Sequence, residues 1–406
     1  MKRLMIIGAG LEQVPLIQAA KKLGHWVLAT HPAAEGADGF ALADATATVD
    51  PRNLPRVLDI AREHRIEAAV ADQCDYSLYA VAFLGEQFGF PTVRLDQAQF
   101  VTNKLNMRNR VAQAGTVLQP AYTACVTFDE AQNAARSIGY PVILKPVDNR
   151  GNFGVTRVET ETELRDAWLQ AVANAHSRTV LVEKFIEGTL TTVEGCFVQR
   201  GTFKPLAVSW KKMLGGNKRV AMELVYDTAN LAEATQELLR ANDAVVRALG
   251  LDFGATHAEF IVTPENKAYL VEIHNRGGGV HIFSKICPAV SGLDTNACLV
   301  RLACGEPAPA DPNKDYFMSQ GAAVLSFFQF KPGKVNNWQG TELIEQDPRV
   351  LSFRMLIKKG EDIKPIIGDA YRHAFIIVRG KDYPDCLRTL EENKARVTIR
   401  YEEPHG

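Results

Sequence analysis

An excess of either charge is nearly absent from this chain. Its 46 Lys+Arg against 47 Asp+Glu leave a net charge of −1, so no basic excess is available to neutralise a nucleic-acid backbone. The local basic cluster of Lys211, Lys212, Lys218 and Arg219 is short and flanked by glycines. Long apolar runs are missing as well, and none approaches the roughly 20 residues of a membrane span. Between Arg3 and Gly8 stand only residues 4–7, too few for a signal-peptide core. The seven cysteines contain no C-x-x-C pair, which argues against a zinc site or a disulfide framework and for reduced thiols in the cytoplasm. Of these, Cys287, Cys298 and Cys304 stand in apolar surroundings, as small hydrophobes do. There is no internal repeat and no low-complexity segment. What is present, 46% hydrophobic and 23% charged over 406 residues, is ordinary globular protein with room for several domains.

Two glutamates then stand out. Residues 257–263 and 268–274 alternate around a turn at 264–267, the pattern of a β-hairpin. Folding about the centre of the turn sets Glu259 opposite Glu272, Ile261 opposite Leu270 and His257 opposite His274 on one face. Ala258, Phe260, Val262, Tyr269, Val271 and Ile273 make the other, core face. Like charges directly opposite on a sheet destabilise it. A divalent cation removes that cost, and Mg2+ is commonly held by one or two carboxylates together with substrate phosphates. A solvated hairpin face with a frayed register is the competing reading.

Around this hairpin the chain divides. Up to about residue 95, strands at 3–7, 26–30, 67–71 and 91–93 alternate with helices at 11–23, 53–64 and 76–88, the manner of a doubly wound sheet. Gly8-Ala-Gly10 follows the first strand, but Gln13 stands where a dinucleotide fingerprint needs its third glycine, and Thr30-His31-Pro32 supplies no acidic residue. A helix at 97–113 carries Lys104. A smaller α+β unit follows from residue 122, with a strong strand at 141–145, and a second mixed unit runs from about 190 to 308. Beyond 310, strands are expected at 322–328 and 374–378 and a helix near 385–393.

Three further elements carry chemistry. Lys145 ends a buried strand, where an anionic partner would relieve its desolvation. The loop after it, 148–154, has Gly151 and Gly154 to bring backbone N–H groups close to phosphate oxygens. An apolar strand ending at Glu183-Lys184-Phe185-Ile186-Glu187-Gly188 can hinge two lobes and offer a purine edge its backbone, with Glu183 accepting from an exocyclic amine. Arg276, just past the second glutamate, can fork onto carboxylate or phosphate, and Gly277 to Gly279 permit close approach. Each alone has a plain alternative: a surface lysine, a charged strand end, a glycine turn.

The order of Lys104, Lys145 with its glycine loop, the Glu183 hinge, and Glu259, Glu272 and Arg276 resembles the ATP-grasp superfamily of carboxylate–amine and carboxylate–thiol ligases. The resemblance covers residues 1 to about 310. It implies an α/β fold with a Rossmann-like pre-ATP-grasp domain at 1–95, an ATP-grasp domain at 96–310 with lobes at about 115–188 and 189–310, and a C-terminal α+β segment at 311–406. By the same resemblance Lys104 and Lys145 touch ATP phosphates, and Gly151 to Gly154 form a loop closing over them. Glu183, Lys184 and Ile186 recognise adenine, Glu259 and Glu272 bridge Mg2+ (or Mn2+) to the phosphates, and Arg276 stabilises an acyl phosphate. Two departures stand against the pattern. His274 occupies the place of a frequent third ligand, Asn, which leaves Asn275 as a substitute. Leu190 stands where an acidic residue often holds ribose, which leaves that task to Glu187.

Within the superfamily, the turn Glu272-Ile-His-Asn-Arg-Gly-Gly-Gly279, followed by Phe283-Ser-Lys285, looks most like ligases that join amino acids through an acyl phosphate. A biotin-carboxylase-type reaction is disfavoured by Val280 where that group has a glutamate. A purine-biosynthetic activity and a non-catalytic ATP-binding regulator complete the alternatives. Candidate substrate contacts are His274, Asn275, Gly277, Gly278, His281 and Ser284. The expected partners are small-molecule carboxylates and amines, with a homodimer as the assembly, no nucleic acid and no membrane.

Overall fold

Four parallel strands open the chain: β1 (Arg3–Ile7), β2 (Trp26–His31), β3 (Ala45–Thr48) and β4 (Ala68–Val70), in spatial order β3-β2-β1-β4. They are the centre of an apolar layer covered on both sides, as parallel strands require, and Leu4, Met5 and Ile6 are fully buried. At the first turn the Gln13 side chain fills the space a third glycine would leave open: its Oε1 accepts the Gly10 N–H at 3.1 Å, and its Cγ lies 3.2 Å from where a Cβ on Gly8 would stand. Residues 91–93, expected as a strand, form none; Thr92 and Val93 are buried in an irregular link. The computed structural model describes residues 1–149, 151–215 and 220–402; Arg150 of the glycine loop and Lys218 and Arg219 of the basic cluster lie outside the described residues.

The single helix expected at 97–113 is two, Leu95–Thr102 and Lys104–Ala114. Asn103 breaks the run: it is extended (φ −133°, ψ 116°), and its side-chain oxygen accepts from the N–H groups of Leu105 and Asn106. This N-cap places Lys104 on the first turn of the second helix.

A four-stranded antiparallel sheet follows, with β5 (Tyr122–Cys125), β6 (Val142–Pro146), β7 (Thr156–Val158) and β8 (Val180–Lys184) in order β5-β8-β6-β7. Helices Phe128–Ile138 and Leu164–Ala173 cover it through Ala131, Ala135, Leu164 and Ala171.

The largest sheet has eight strands. β9 (Thr189–Gln199), β10 (Thr202–Met213), β11 (Ala221–Tyr226), β12 (Ala255–Val262) and β13 (Ala268–His274) come from the middle of the chain. β14 (Ala322–Phe328) follows; β15 (Gly333–Gln339) lies in a small separate sheet; β16 (Val350–Met355) returns to the large one; β17 (Asp362–Ile363) pairs with β15; and β18 (Ala374–Gly380) completes the eight before β19 (Thr398–Tyr401) joins β15. The spatial order is β13-β12-β9-β10-β11-β14-β18-β16, so strands after residue 310 continue the same sheet. No helix among the described residues is long and apolar enough to cross a membrane.

Register at the hairpin differs from the expectation in one respect. Glu259 pairs with Glu272 and His257 with His274, but Phe260 pairs with Leu270 and Ile261 with Tyr269. Val271 is an extra residue, a β-bulge, which resets which side chains share a face. Leu270, expected beside the glutamates, is therefore fully buried in the core with Phe260, whereas Tyr269 and Val271 are only half-buried.

Candidate active site

The two glutamates sit on neighbouring strands with their charge already answered. Nζ of Lys211, on β10, lies 2.5 Å from Glu259 Oε1, and Nζ of Lys104 lies 3.0 Å from Glu272 Oε2. Burial alone would raise the Glu259 carboxyl, but Lys211 and His257 hold it down at about 2. Burial opposes ionisation of Glu272 too; Lys104 and His274 outweigh it and keep that carboxyl well below its ordinary range. Both are thus carboxylates at neutral pH. The lysine at the helix break has a second contact, donating to the Asn149 carbonyl at 2.8 Å, so Lys104 ties the start of the glycine loop to β13.

The donor set fits a hard divalent cation. Two carboxylates face each other, and the buried Glu272 Oε2, although close to Lys104, makes no hydrogen bond of good geometry. Asn275, the substitute third ligand, does not join them. Its amide donates to the carbonyls of Phe253 (2.9 Å) and Ala255 (2.8 Å) and it is buried on the other side of the strand end. His274 does stand beside the site, with Nε2 3.2 Å from Glu272 Oε1 and Nδ1 3.0 Å from Asp75 Oδ1. Burial would lower its pKa, yet Asp75 and Glu272 raise it. His257 is arranged similarly: burial disfavours its charge, but Glu194, 2.8 Å from Nδ1, lifts it to about 9.

Lys145 and Glu183 meet at 2.8 Å, both almost completely buried. The Glu183 carboxylate also takes Arg108, Nε to Oε1 at 2.9 Å. Burial works against its charge, and the two cations bring it to about 2. Both oxygens are engaged by these two cations, so a base amine, the partner expected for Glu183, would have to share that carboxylate with Arg108 and Lys145. Burial lowers the Lys145 pKa even beside this carboxylate. Lys184 turns away, donating to the carbonyls of Gly139 (2.9 Å) and Tyr140 (3.3 Å). Ile186 is half-buried and Glu187 exposed at the lobe junction. Gly188 is required there, since a Cβ would stand 2.3 Å from the Val262 carbonyl oxygen. Gly151 and Gly154 both have positive φ, and Gly154 packs where a Cβ would meet Asn174 at 2.9 Å.

Arg276 is held by the N-terminal unit: Nε to Asp75 Oδ1 is 2.9 Å, Nη2 to Asp75 Oδ2 is 3.4 Å, and Nη1 donates to the Gly277 carbonyl. Burial would raise the Asp75 carboxyl; Arg276 and His274 drive it far below the carboxylate range. The glycine turn docks on the same unit. Asp72 Oδ1 accepts the Gly277 N–H at 2.8 Å, and a Cβ on Gly277 would fall 2.2 Å from Phe283 Cβ. A Cβ on Gly278 would crowd Ile282 at 2.9 Å. Val280 and His281 are left-handed (φ 52° and 60°), a strained state for a β-branched residue. Glu12 accepts from the Val280 N–H and Gln73 Oε1 from that of His281. His281 and Ser284 meet each other (3.2 Å) beside Phe375 rather than the glutamates, and burial depresses His281 to about 4.

A small cavity of about 50 Å³ opens along this seam, lined by Asp75, Phe100, Lys104, Asn149, Glu272 and His274 among others. Asp72, Asp75, Glu194 and Arg108 were not singled out from the sequence. Each acts through a contact distant in the chain, and no local pattern marks them.

Residues 138–284, which hold β6 to β13 and both glutamates, match the ATP-grasp domain family. The chain carries an ATP-grasp domain. Residues 326–402 match the L-amino acid ligase C-terminal domain 2 family. The whole chain is similar in structure to an L-amino acid ligase from Bacillus licheniformis, with TM-score 0.84, 18% identity and 99% of each chain covered. It is similar also to a phosphoribosylglycinamide synthetase from Anaerococcus prevotii, with TM-score 0.77, 19% identity, and 99% of this chain and 100% of that one covered. In sequence it is 29% identical over 199 residues to a formate-dependent phosphoribosylglycinamide formyltransferase of Prochlorococcus marinus (strain MIT 9303), covering 47% of this chain and 50% of that protein. The chain thus spans about half the length of the curated relatives it matches.

Proposed function

We propose that this chain is an ATP-dependent carboxylate–amine ligase. It transfers the γ-phosphoryl group of ATP to a carboxylate and passes the resulting acyl group to an amine, releasing ADP and phosphate, with an amino acid among its substrates. The observation that carries this reading is the pairing of Glu259 with Glu272 inside a fold of this family, with Lys104 and Arg276 at the same seam. The C-terminal match at 326–402 supports an amino acid as substrate.

In this reading Glu259 and Glu272 hold Mg2+, or Mn2+ in its place. Such an ion supplies charge neutralisation at the phosphates and orients the transferred group. Lys104 and Lys145 move from carboxylate partners to phosphate oxygens, which offsets charge that builds on the phosphoryl group. The backbone of Glu183 to Ile186 meets adenine, and Glu187 lies near enough in sequence to serve ribose. The loop with Gly151 and Gly154 covers the phosphates and keeps water from the acyl phosphate. Arg276 faces that intermediate, with its fork fixed by Asp75. Division at about residues 95 and 310, a homodimer and a cytoplasmic setting complete the proposal; the seven free cysteines fit a reducing compartment.

A second reading, formyl or related transfer in purine biosynthesis, is favoured by the sequence relatives. The two are separated by measuring ADP release with amino acids in pairs against formate plus phosphoribosylglycinamide. Amide formation from an amino-acid pair is expected, and Glu272→Gln should abolish it. ADP release only with formate and phosphoribosylglycinamide would replace the amino-acid reading. No substrate-dependent release of any kind would leave a nucleotide-binding regulator.

A further inference from the structure

Each metal-type glutamate has a histidine beside it, and each histidine has a carboxylate behind it. His257 sits between Glu194 (Nδ1 to Oε1, 2.8 Å) and Glu259 (Nε2 to Oε1, 3.6 Å). His274 sits between Asp75 (Nδ1 to Oδ1, 3.0 Å) and Glu272 (Nε2 to Oε1, 3.2 Å). The two rings stack with centroids 6.3 Å apart. The relays differ in origin. Glu194 lies on β9, the strand next to β12 in the same sheet, whereas Asp75 opens the helix Asp75–Phe88 of the N-terminal unit.

Asp75 does a second thing from that position. The same two oxygens grip the Arg276 guanidinium at 2.9 and 3.4 Å. Three residues earlier, Asp72 takes the Gly277 N–H, so the segment is docked on the strand end at two points. One carboxylate from outside the sheet therefore sets two side chains that the ligase reading needs: Glu272 through His274, and Arg276 directly.

We propose that Asp75 is a positioning residue that completes the active site across the domain seam. An imidazole lodged between two carboxylates, with Nδ1 3.0 Å from Asp75 and Nε2 3.2 Å from Glu272, is confined by charge on both sides although Nδ1 makes no hydrogen bond of good geometry. Outer partners of this kind typically change metal affinity ~10- to 100-fold. The arginine fork, gripped along one edge, presents its remaining N–H groups in one direction. The kinetic part of the proposal rests on the ligase reading, and the metal-binding part does not.

The test compares Asp75→Asn, His274→Gln and Glu194→Gln with the unaltered protein. Mn2+ binding in the presence of ADP is measured by electron paramagnetic resonance, along with kcat, KM for ATP and thermal unfolding. Asp75→Asn keeps the size and one acceptor but loses the charge; it should weaken Mn2+ about 10-fold or more and cut kcat while KM for ATP moves little. His274→Gln severs the relay from within the sheet and should reproduce the Mn2+ loss, which serves if Asp75→Asn does not fold. Unchanged Mn2+ affinity in His274→Gln, or an Asp75→Asn protein that loses only thermal stability, would overturn the proposal. Weakened Mn2+ without amide synthesis from any substrate would sustain the positioning role while removing the ligase reading.

Discussion

Arg108 Nε and Glu183 Oε1 meet at 2.9 Å where neither side chain reaches solvent. The same guanidinium donates to the carbonyls of Leu270 (2.8 Å) and Val271 (2.9 Å). One arginine thus joins the strand proposed to meet the nucleotide with the bulge that aims Glu272.

Arg108→Met should therefore destabilise the protein by about 3–5 kcal/mol, because it leaves the Glu183 charge and two bulge carbonyls buried with fewer partners. Thermal unfolding checks this, with a fall in Tm of roughly 4–6 °C expected for a chain of this size. A Tm within about 2 °C of the parent would show that Lys145 alone satisfies Glu183.

Asn103→Ala removes the cap that splits the two helices. A stability loss of about 1 kcal/mol is expected. If Lys104 acts on phosphate, KM for ATP should rise as its helix turn frays. Steady-state kinetics read the second effect separately from unfolding, and an unaltered KM would place Lys104 outside nucleotide binding.

Gly277→Ala forces a Cβ to within 2.2 Å of Phe283 Cβ and 2.8 Å of Asp72 Oδ1. Overpacking of this kind costs about 1–3 kcal/mol, and here it also pushes Asp72 off the turn. Limited proteolysis should find the seam between the N-terminal unit and the sheet opened. Parent-like resistance would mean that the turn can yield without undocking.

Stability should depend on His281 in mildly acid solution. Its folded pKa, depressed by burial to about 4 against 6.5 for the free side chain, means that the unfolded chain takes up the proton first as pH falls. The contribution is fully present above pH ~6.5 and is lost as pH falls through ~4, by roughly 3 kcal/mol in all. Unfolding of the parent and of His281→Asn across this range should show their stability difference narrowing toward pH 4. A constant difference would place the ring in contact with water in the folded state.

Much of this was legible in the sequence, and the remainder has a common cause. Glu259 facing Glu272 follows from alternation and a short turn, both local. Leu270 was misassigned because the bulge at Val271 is bound by Arg108, a residue far back in the chain. The break at Asn103 was hidden inside a continuous helical pattern, and only its N-cap hydrogen bonds reveal it. Asp75 carries no local mark in the sequence; its partners, His274 and Arg276, lie at a strand end about two hundred residues later. Lys211 stands out in the sequence only as part of a short basic cluster, whereas in the fold it meets Glu259 across the sheet.

The continuity of the large sheet has a practical meaning. β14 fills the place between β11 and β18, so a shortened chain ending near residue 310 would expose β11 as an open edge with its backbone N–H and C=O groups unpaired. Such an edge is a template for another chain. The first 310 residues could not be prepared by simple truncation without inviting self-association, and grafting a different tail onto them would succeed only if that tail brought a strand of its own to seal the gap.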